Sequence, residues 1–264
     1  MTTNSIIPNI YIGYDSKEDV AYRVLRESIL DNTSAPVNII PLKEGRLRAI
    51  NFYRRSHYTK DNINFDSIDG KPFSTAFSFT RFLVPFLNMH RGEALFMDCD
   101  MLVRADIMEV FELSRTKRLP LWCVKHDYKP KEAIKMDGQP QTQYSRKNWS
   151  SFVLWSCHHE KHKNLTIDDV NLRSGLYLHN FQWLEDEDIG EIDPAWNWLD
   201  GHSDDAVEAK NVHFTTGGPW FKDWKPKKRL DAKYALEWDL LYDSIGLEES
   251  LGKDRTIKWK KTYV

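Results

Sequence analysis

The chain has 264 residues, 41% hydrophobic and 29% charged, with 37 Lys and Arg against 39 Asp and Glu for a net charge of -2. That length and apolar content suit one α/β domain, and the balanced charge excludes a global basic field, so no stable nucleic-acid partner is expected. Three widely spaced cysteines, Cys99, Cys123 and Cys157, fit neither a disulfide framework nor a CxxC metal site; with no basic-then-apolar leader and no apolar run of membrane-spanning length, a cytoplasmic protein with reduced, buried thiols is expected.

Asn9 to Tyr14 is apolar and β-branched and predicts a strand, followed by Asp15 and Ser16 as N-cap oxygens for a helix with Val20, Ala21, Val24, Leu25 and Ser28 on one face. Val37 to Leu42 repeats the strand signal, so the chain opens as β-α-β, the unit of a parallel sheet whose ligands sit beyond the strand C-termini. Glu44 to Lys71 is polar, aromatic and basic, with Arg46, Arg48, Arg54, Arg55, His57 and Lys60 and no sustained period; it reads as an irregular insertion bordering a site. A helical pattern runs from Ser74 to Leu87, ending near Pro85, and Ala94 to Met97 has the short apolar run of a buried central strand. Leu121 to Lys125, Ser151 to Ser156 and Val212 to Phe214 read as further strands. Ile167 to Leu172 reads as a helix opened by Thr166 and Asp169 in capping-box spacing, and Leu230 to Ile245 as the closing helix. Tyr128 to Lys147, rich in Lys, Gln, Pro and Gly, predicts a mobile loop.

Asp98 and Asp100 stand immediately after the apolar strand. In an extended chain residues i and i+2 project to one side, so both are predicted to converge at the ligand-binding edge, and like charges that close call for a divalent cation with oxygen ligands. Two solvated aspartates capping a turn fit the same pattern. So do the nucleophile and acid of a haloacid-dehalogenase-type phosphatase, for which Lys210, Asp204 and Asp205 would complete the set. Downstream, Val212 to Trp220 delivers His213 and then a Gly217-Gly218-Pro219 turn. Turn glycines let a backbone approach phosphate, and a neutral imidazole adds a nitrogen ligand; a surface hairpin with a structural histidine accounts for the same residues. A third alternative is a non-catalytic domain that binds nucleotide sugar or carbohydrate, its ten tryptophans serving as stacking faces.

In order, Ile10 to Asp15, Phe96 to Asp100 and His213 to Trp220 resemble the first strand, the DxD strand and the late His-Gly-Trp region of GT-A glycosyltransferases, in particular family-8-like enzymes of short bacterial or viral type. The resemblance implies a GT-A-type, Rossmann-like mixed α/β sheet flanked by helices in a single domain over residues 1–264. Within it, 9–126 would be a nucleotide-binding half, 127–246 a donor-sugar and acceptor half, and 247–264 a basic-aromatic tail. It implies metal-dependent sugar transfer, with retention of configuration, from a nucleotide-diphospho-sugar, a UDP-hexose first, to a saccharide, lipid-linked glycan or other hydroxyl acceptor.

Carried over by position, Asp98, Asp100 and His213 would bind Mn2+ or Mg2+, and Gly217, Gly218 and Trp220 would border the diphosphate. Gly13, Tyr14 and Asp15, with Cys99 of the DxD segment, would line the nucleotide. Arg81 would approach the donor, and independently its place among apolar neighbours calls for an anionic partner; Asn148 and Ser150 would meet the donor sugar, and Asn197 an acceptor hydroxyl. The chain departs from the family in having no Asp-Gln pair, and in placing Pro219 and Trp220 where a phosphate-holding lysine commonly stands, which assigns that role to Lys222. The cationic and aromatic residues of 255–264 suggest peripheral contact with a membrane.

Overall fold

The computed structural model describes residues 7–126, 146 and 149–246. Strand β1 (Asn9–Gly13) passes through a 3-10 turn at Ser16–Glu18 into α1 (Asp19–Asp31), then β2 (Asn38–Leu42) and α2 (Glu44–Ala49). β1 and β2 pair in parallel, as a β-α-β unit requires. Asp15 caps the 3-10 turn rather than α1, accepting from the Lys17 N–H.

Beyond α2 the expected irregular insertion is instead a small antiparallel sheet of β3 (His57–Lys60), β4 (Ile63–Asp66) and β5 (Pro72–Phe73). Every residue of β3 is exposed, so the in-out alternation that betrays a half-buried strand is missing. Three of the arginines around it pair with carboxylates: Arg48 with Glu44 and Arg55 with Asp66 nearby, and Arg54 with Asp168 across the fold. The helix expected over 74–87 is irregular over 74–79 and then divides into a 3-10 turn at Thr80–Leu83 and one turn of α3 (Val84–Leu87). Pro85 sits in the first turn of α3 rather than ending a helix, because there its missing N–H has no intrahelical partner to lose.

The chain continues through β6 (Glu93–Met97), β7 (Met101–Val103), α4 (Met108–Glu112), β8 (Leu121–Cys123), β9 (Phe152–Ser156), α5 (Ile167–Leu172), α6 (Gly175–His179), β10 (Ile189–Glu191), β11 (Trp198–Leu199), β12 (Asn211–His213) and α7 (Arg229–Ser244). α5 carries the capping box read from Thr166 and Asp169. The loop expected at 128–147 lies outside the described residues except for Arg146, and the tail at 247–264 lies wholly outside them.

The main sheet has the order β10-β8-β9-β6-β1-β2, parallel except for β9, which runs antiparallel to both neighbours. A second sheet, β11-β12-β7, begins where β6 ends: the chain leaves one sheet at Met97, bends through 98–100, and enters the other at Met101. One core packs the main sheet around Ile10, Leu95, Phe96, Phe152 and Trp155, and a second packs Trp198, Phe214 and Trp220 against Tyr234 and Trp238 of α7. α1 bridges them, giving Leu25 and Ile29 to the first and Ala21 and Val24 to the second.

All described tryptophans except the half-buried Trp149 are buried, so they build core rather than sugar-stacking faces. The three cysteines are buried free thiols. Among the described residues no helix is long and apolar enough to cross a membrane.

Candidate metal and donor site

The bend between the two sheets is what shapes the site. β6 stops at Met97, so Asp98 and Asp100 converge through a turn rather than through the alternation of an extended strand. β12 pairs antiparallel with β7, setting His213 opposite Met101 and beside the bend, where the Phe214 N–H donates to the Asp100 carbonyl at 2.9 Å. One ligating atom from each of Asp98, Asp100 and His213 then lies within 4.8 Å of the others. Two carboxylate oxygens and an imidazole nitrogen suit a hard-to-borderline divalent cation such as Mn2+ or Mg2+, so the donor set fits the expected metal.

Around this trio the polar contacts are tight. Arg81 Nη1 lies 2.9 Å from Asp98 Oδ1 and donates to the Ser150 carbonyl at 2.9 Å, and its guanidinium sits 4.9 Å from the Phe96 ring centroid. The anionic partner expected for a buried Arg81 is therefore Asp98 itself. His213 Nε2 is 3.3 Å from Asp100 Oδ1 and its Nδ1 is 2.9 Å from Asn197 Oδ1, while Asn197 Nδ2 donates to Ser151 Oγ at 2.9 Å. The Ser151 carbonyl accepts from the Asp98 N–H at 2.9 Å. Ser150 Oγ pairs at 2.8 Å with Nδ1 of His179, which packs edge-on to Phe82.

The other expected site residues fall in several places. Asp15 already receives the Lys17 and Ala76 amides on its two oxygens and so pins the segment that carries Phe77 to the end of β1. Gly13 is small because a Cβ there would meet the Phe77 ring at 2.4 Å. Tyr14 donates to Asp19 Oδ1 at 2.8 Å and lies beneath the Lys43 ammonium; the hydrogen bond to Asp19 pushes its phenol up to about 12. Cys99 is fully buried and its thiol donates to Glu18 Oε2 at 3.2 Å, with burial holding the thiol well above its usual range.

Gly217 takes a φ of 109°, a conformation that favours glycine, whereas Gly218 is small because a Cβ would strike the Trp220 ring at 2.2 Å. Trp220 itself packs edge-on to Phe214 in the second core. Lys222 is exposed, and Asn148 lies outside the described residues. Asn197 is fully buried. Lys210 pairs with Glu109 and leaves the strand at the Val103 end of β7, away from Asp100, so the phosphatase set does not assemble around Asp98.

Two residues with no signal of their own complete the surroundings. Asp200, buried at the end of β11, accepts from the Thr215 N–H at 2.8 Å, and burial raises its carboxyl well above the usual range. His126, just past β8, accepts the Trp149 indole N–H on its carbonyl. Burial and the neighbouring His213 push its imidazole down to about 4, against the pull of the Asn197 backbone. The buried His162, whose Nε2 donates to the Pro120 carbonyl at 2.9 Å, is likewise pushed down to about 4 by burial.

Both imidazoles stay neutral in the fold while the unfolded chain protonates near pH ~6.5, so the unfolded state binds more protons between these values. Stability of the metal-free protein is expected to fall as pH drops from about 6.5 to 4, by on the order of 2–3 kcal/mol per imidazole. Urea melts across that window should show the decline, and His162→Gln should reduce it by roughly half; a pH-independent midpoint in the wild type would contradict both assignments.

A separate cleft of about 840 Å³, bordered by Phe52, Phe86, His90, His158 and His162, opens at the other end of the sheet, beyond Ser156 and the start of β6. It holds none of the three ligating residues.

No protein-family model matches the chain. Protein CDI of Arabidopsis thaliana is 46% identical over 234 residues, covering 87% of this chain and 83% of that protein. Among solved structures, the apo form of the WbbM bifunctional glycosyltransferase aligns at a TM-score of 0.57 and 14% identity over 91% of this chain. GlyE of Streptococcus pneumoniae TIGR4, in its apo form, aligns at 0.53 and 14% over 94%. The galactosyltransferase LgtC, solved with donor and acceptor sugar analogs, aligns at 0.53 and 12% over 89% of this chain and 95% of its own. The chain spans 52% of the WbbM chain and 64% of the GlyE chain. These likenesses give the fold: a GT-A glycosyltransferase architecture.

Proposed function

We propose that this chain, which belongs to the family of the Arabidopsis thaliana protein CDI, is a metal-dependent, family-8-like glycosyltransferase. It moves a sugar, with retention, from a nucleotide-diphospho-sugar to a saccharide, lipid-linked glycan or other hydroxyl acceptor. The observation that carries the reading is the meeting of Asp98, Asp100 and His213 within 4.8 Å at the C-terminal end of β6, in a GT-A fold. A UDP-hexose is the preferred donor, a choice supported by the fold shared with the galactosyltransferase LgtC.

Breaking the anomeric C–O bond leaves a nucleoside diphosphate, so the largest electrostatic demand is the charge gathering on that leaving group. A divalent cation held by the trio supplies Lewis-acid stabilisation of it. Asp98 and Asp100 serve as ligands rather than as acid and base. Arg81 holds the Asp98 carboxylate and offsets its charge. Gly217 gives the late turn the backbone shape that meets the diphosphate. Tyr14 and Asp15 border the nucleoside, and Ser150 with His179 borders the donor sugar.

The test is release of UDP from UDP-glucose and UDP-galactose with Mn2+, with EDTA, and in Asp98→Asn. Turnover that needs the metal and is lost in the variant is expected. Silence across UDP-, GDP- and CMP-sugars, with all of these nucleotides failing to bind, would overturn the proposal.

A further inference from the structure

We infer that Asn197 is the positioning residue that makes His213 a metal ligand: it holds the proton on Nδ1, leaving the Nε2 lone pair for the cation, and is itself oriented by Ser151. The inference rests on the metal site proposed above and assigns the second layer of contacts behind it.

A histidine ligand must be neutral, with its lone pair on the bound nitrogen and its proton on the other. In His213 the nitrogen on the ligand side is Nε2, 3.3 Å from Asp100 Oδ1, and the far nitrogen is Nδ1, 2.9 Å from Asn197 Oδ1. Two acceptors therefore compete for one proton. The Asp100 carboxylate, with its charge 3.3 Å from Nε2, favours the proton there and so favours the tautomer that cannot ligate. Asn197 Oδ1 draws it the other way, and without that acceptor nothing among the described contacts holds the proton on Nδ1.

An asparagine does this only in one orientation, since its amide end would set N–H against N–H. Nδ2 donates to Ser151 Oγ at 2.9 Å, which directs Oδ1 at the imidazole. Asn197 is fully buried and Ser151 and His213 nearly so, so water is poorly placed to substitute for a lost partner. The backbone is fixed as well. Asn197 ends a 3-10 turn at Pro194–Asn197 capped by Asp193, and two residues later Leu199 pairs with His213 across β11 and β12.

Ser151 reaches the other side of the site too, because its carbonyl accepts the Asp98 N–H, and the adjacent Ser150 carbonyl accepts from Arg81. One short turn, Trp149–Ser151, thus braces the carboxylate side of the site directly and the imidazole side through Asn197. Burial removes Asn197 from any contact with an acceptor hydroxyl, the role its sequence position suggested.

The experiment is calorimetric titration of Mn2+ into the wild type, Asn197→Leu, Asn197→Asp and Ser151→Ala, with the metal-free melting temperature of each. Alongside it, ¹⁵N-histidine NMR of the Mg2+-loaded wild type reads the His213 tautomer. Asn197→Leu is expected to weaken Mn2+ binding by about 10–100-fold. Asn197→Asp, which still accepts from Nδ1–H, should remain within about threefold of wild type near pH ~8. The Mg2+-loaded His213 should carry its proton on Nδ1. Wild-type affinity in Asn197→Leu, or a proton on Nε2 with Mg2+ bound, would overturn the inference and leave the metal site standing; failure of the wild type to bind Mn2+ would overturn both. Should Asn197→Leu not fold, Ser151→Ala and the wild-type tautomer carry the test.

Discussion

Replacing Arg55 by alanine is expected to cost about 3–5 kcal/mol of folding stability, the range found when one member of a buried ion pair is removed. Arg55 and Asp66 are each about 1% exposed at the side chain, and the pair is bidentate, Nε to Oδ1 at 2.9 Å and Nη2 to Oδ2 at 2.5 Å. The third nitrogen donates to the Val170 carbonyl at 3.0 Å, and the guanidinium lies 4.0 Å from the Phe79 ring centroid. One side chain therefore clamps the β3-β4-β5 sheet to α5 and to the segment leading to Arg81.

Removing it leaves a buried carboxyl whose pKa burial already raises, with the Ile68 backbone bond left to pull it back down in place of the stronger hold of Arg55. The penalty should accordingly grow as pH rises through the carboxyl's titration, because the ionised form is the one left without compensation. Arg55→Lys should recover little, since a point ammonium cannot reproduce the fork, whereas Arg55→Met with Asp66→Leu should recover most of the loss. Chemical denaturation of the four proteins checks this; a loss under about 1 kcal/mol in Arg55→Ala would show that the clamp is not structural.

Asp100→Ala is expected to weaken Mn2+ binding by at least about a hundredfold, because removing a ligand should cost more than removing a group behind one. The same substitution should leave metal-free stability within about 1 kcal/mol of wild type, or raise it, since it relieves the repulsion between two neighbouring carboxylates. That combination separates a binding residue from a structural one. Calorimetry and thermal melts read the two quantities, and a destabilised variant with intact metal affinity would reverse the assignment of Asp100.

The parts of this molecule legible in the sequence are those written locally. The Ala94 to Met97 run can only be a buried strand, and charge placed directly after it must leave the core, which is why Asp98 and Asp100 stood out. Thr166 and Asp169 announced α5 in the same way. β3 was not legible, because its residues are all exposed and its pairing with β4, not burial, makes it a strand. The irregular path over 74–79 was hidden as well: its apolar residues imitate a helical period while serving contacts with Gly13 and Arg55.

Within the site, Arg81 was recognisable as an arginine needing an anion, but which anion it meets is settled by a contact across the fold. Ser151 and His126 had no signal of their own, and Asn197 stood out only for a different role, as an acceptor contact. Their importance lies in partners far away in the chain, such as the Ser151 hydroxyl for Asn197, and a single sequence does not encode those pairings locally.

The measurement that bears most directly on the central claim is thermal stabilisation by UDP, GDP and CMP, each with and without Mn2+, in the wild type and in Asp100→Ala. Metal-dependent stabilisation by one nucleotide, UDP first, that disappears in the variant is the predicted result. Equal melting temperatures in every condition, or stabilisation that persists unchanged without metal and in Asp100→Ala, would contradict a metal-dependent nucleotide-sugar site at Asp98, Asp100 and His213.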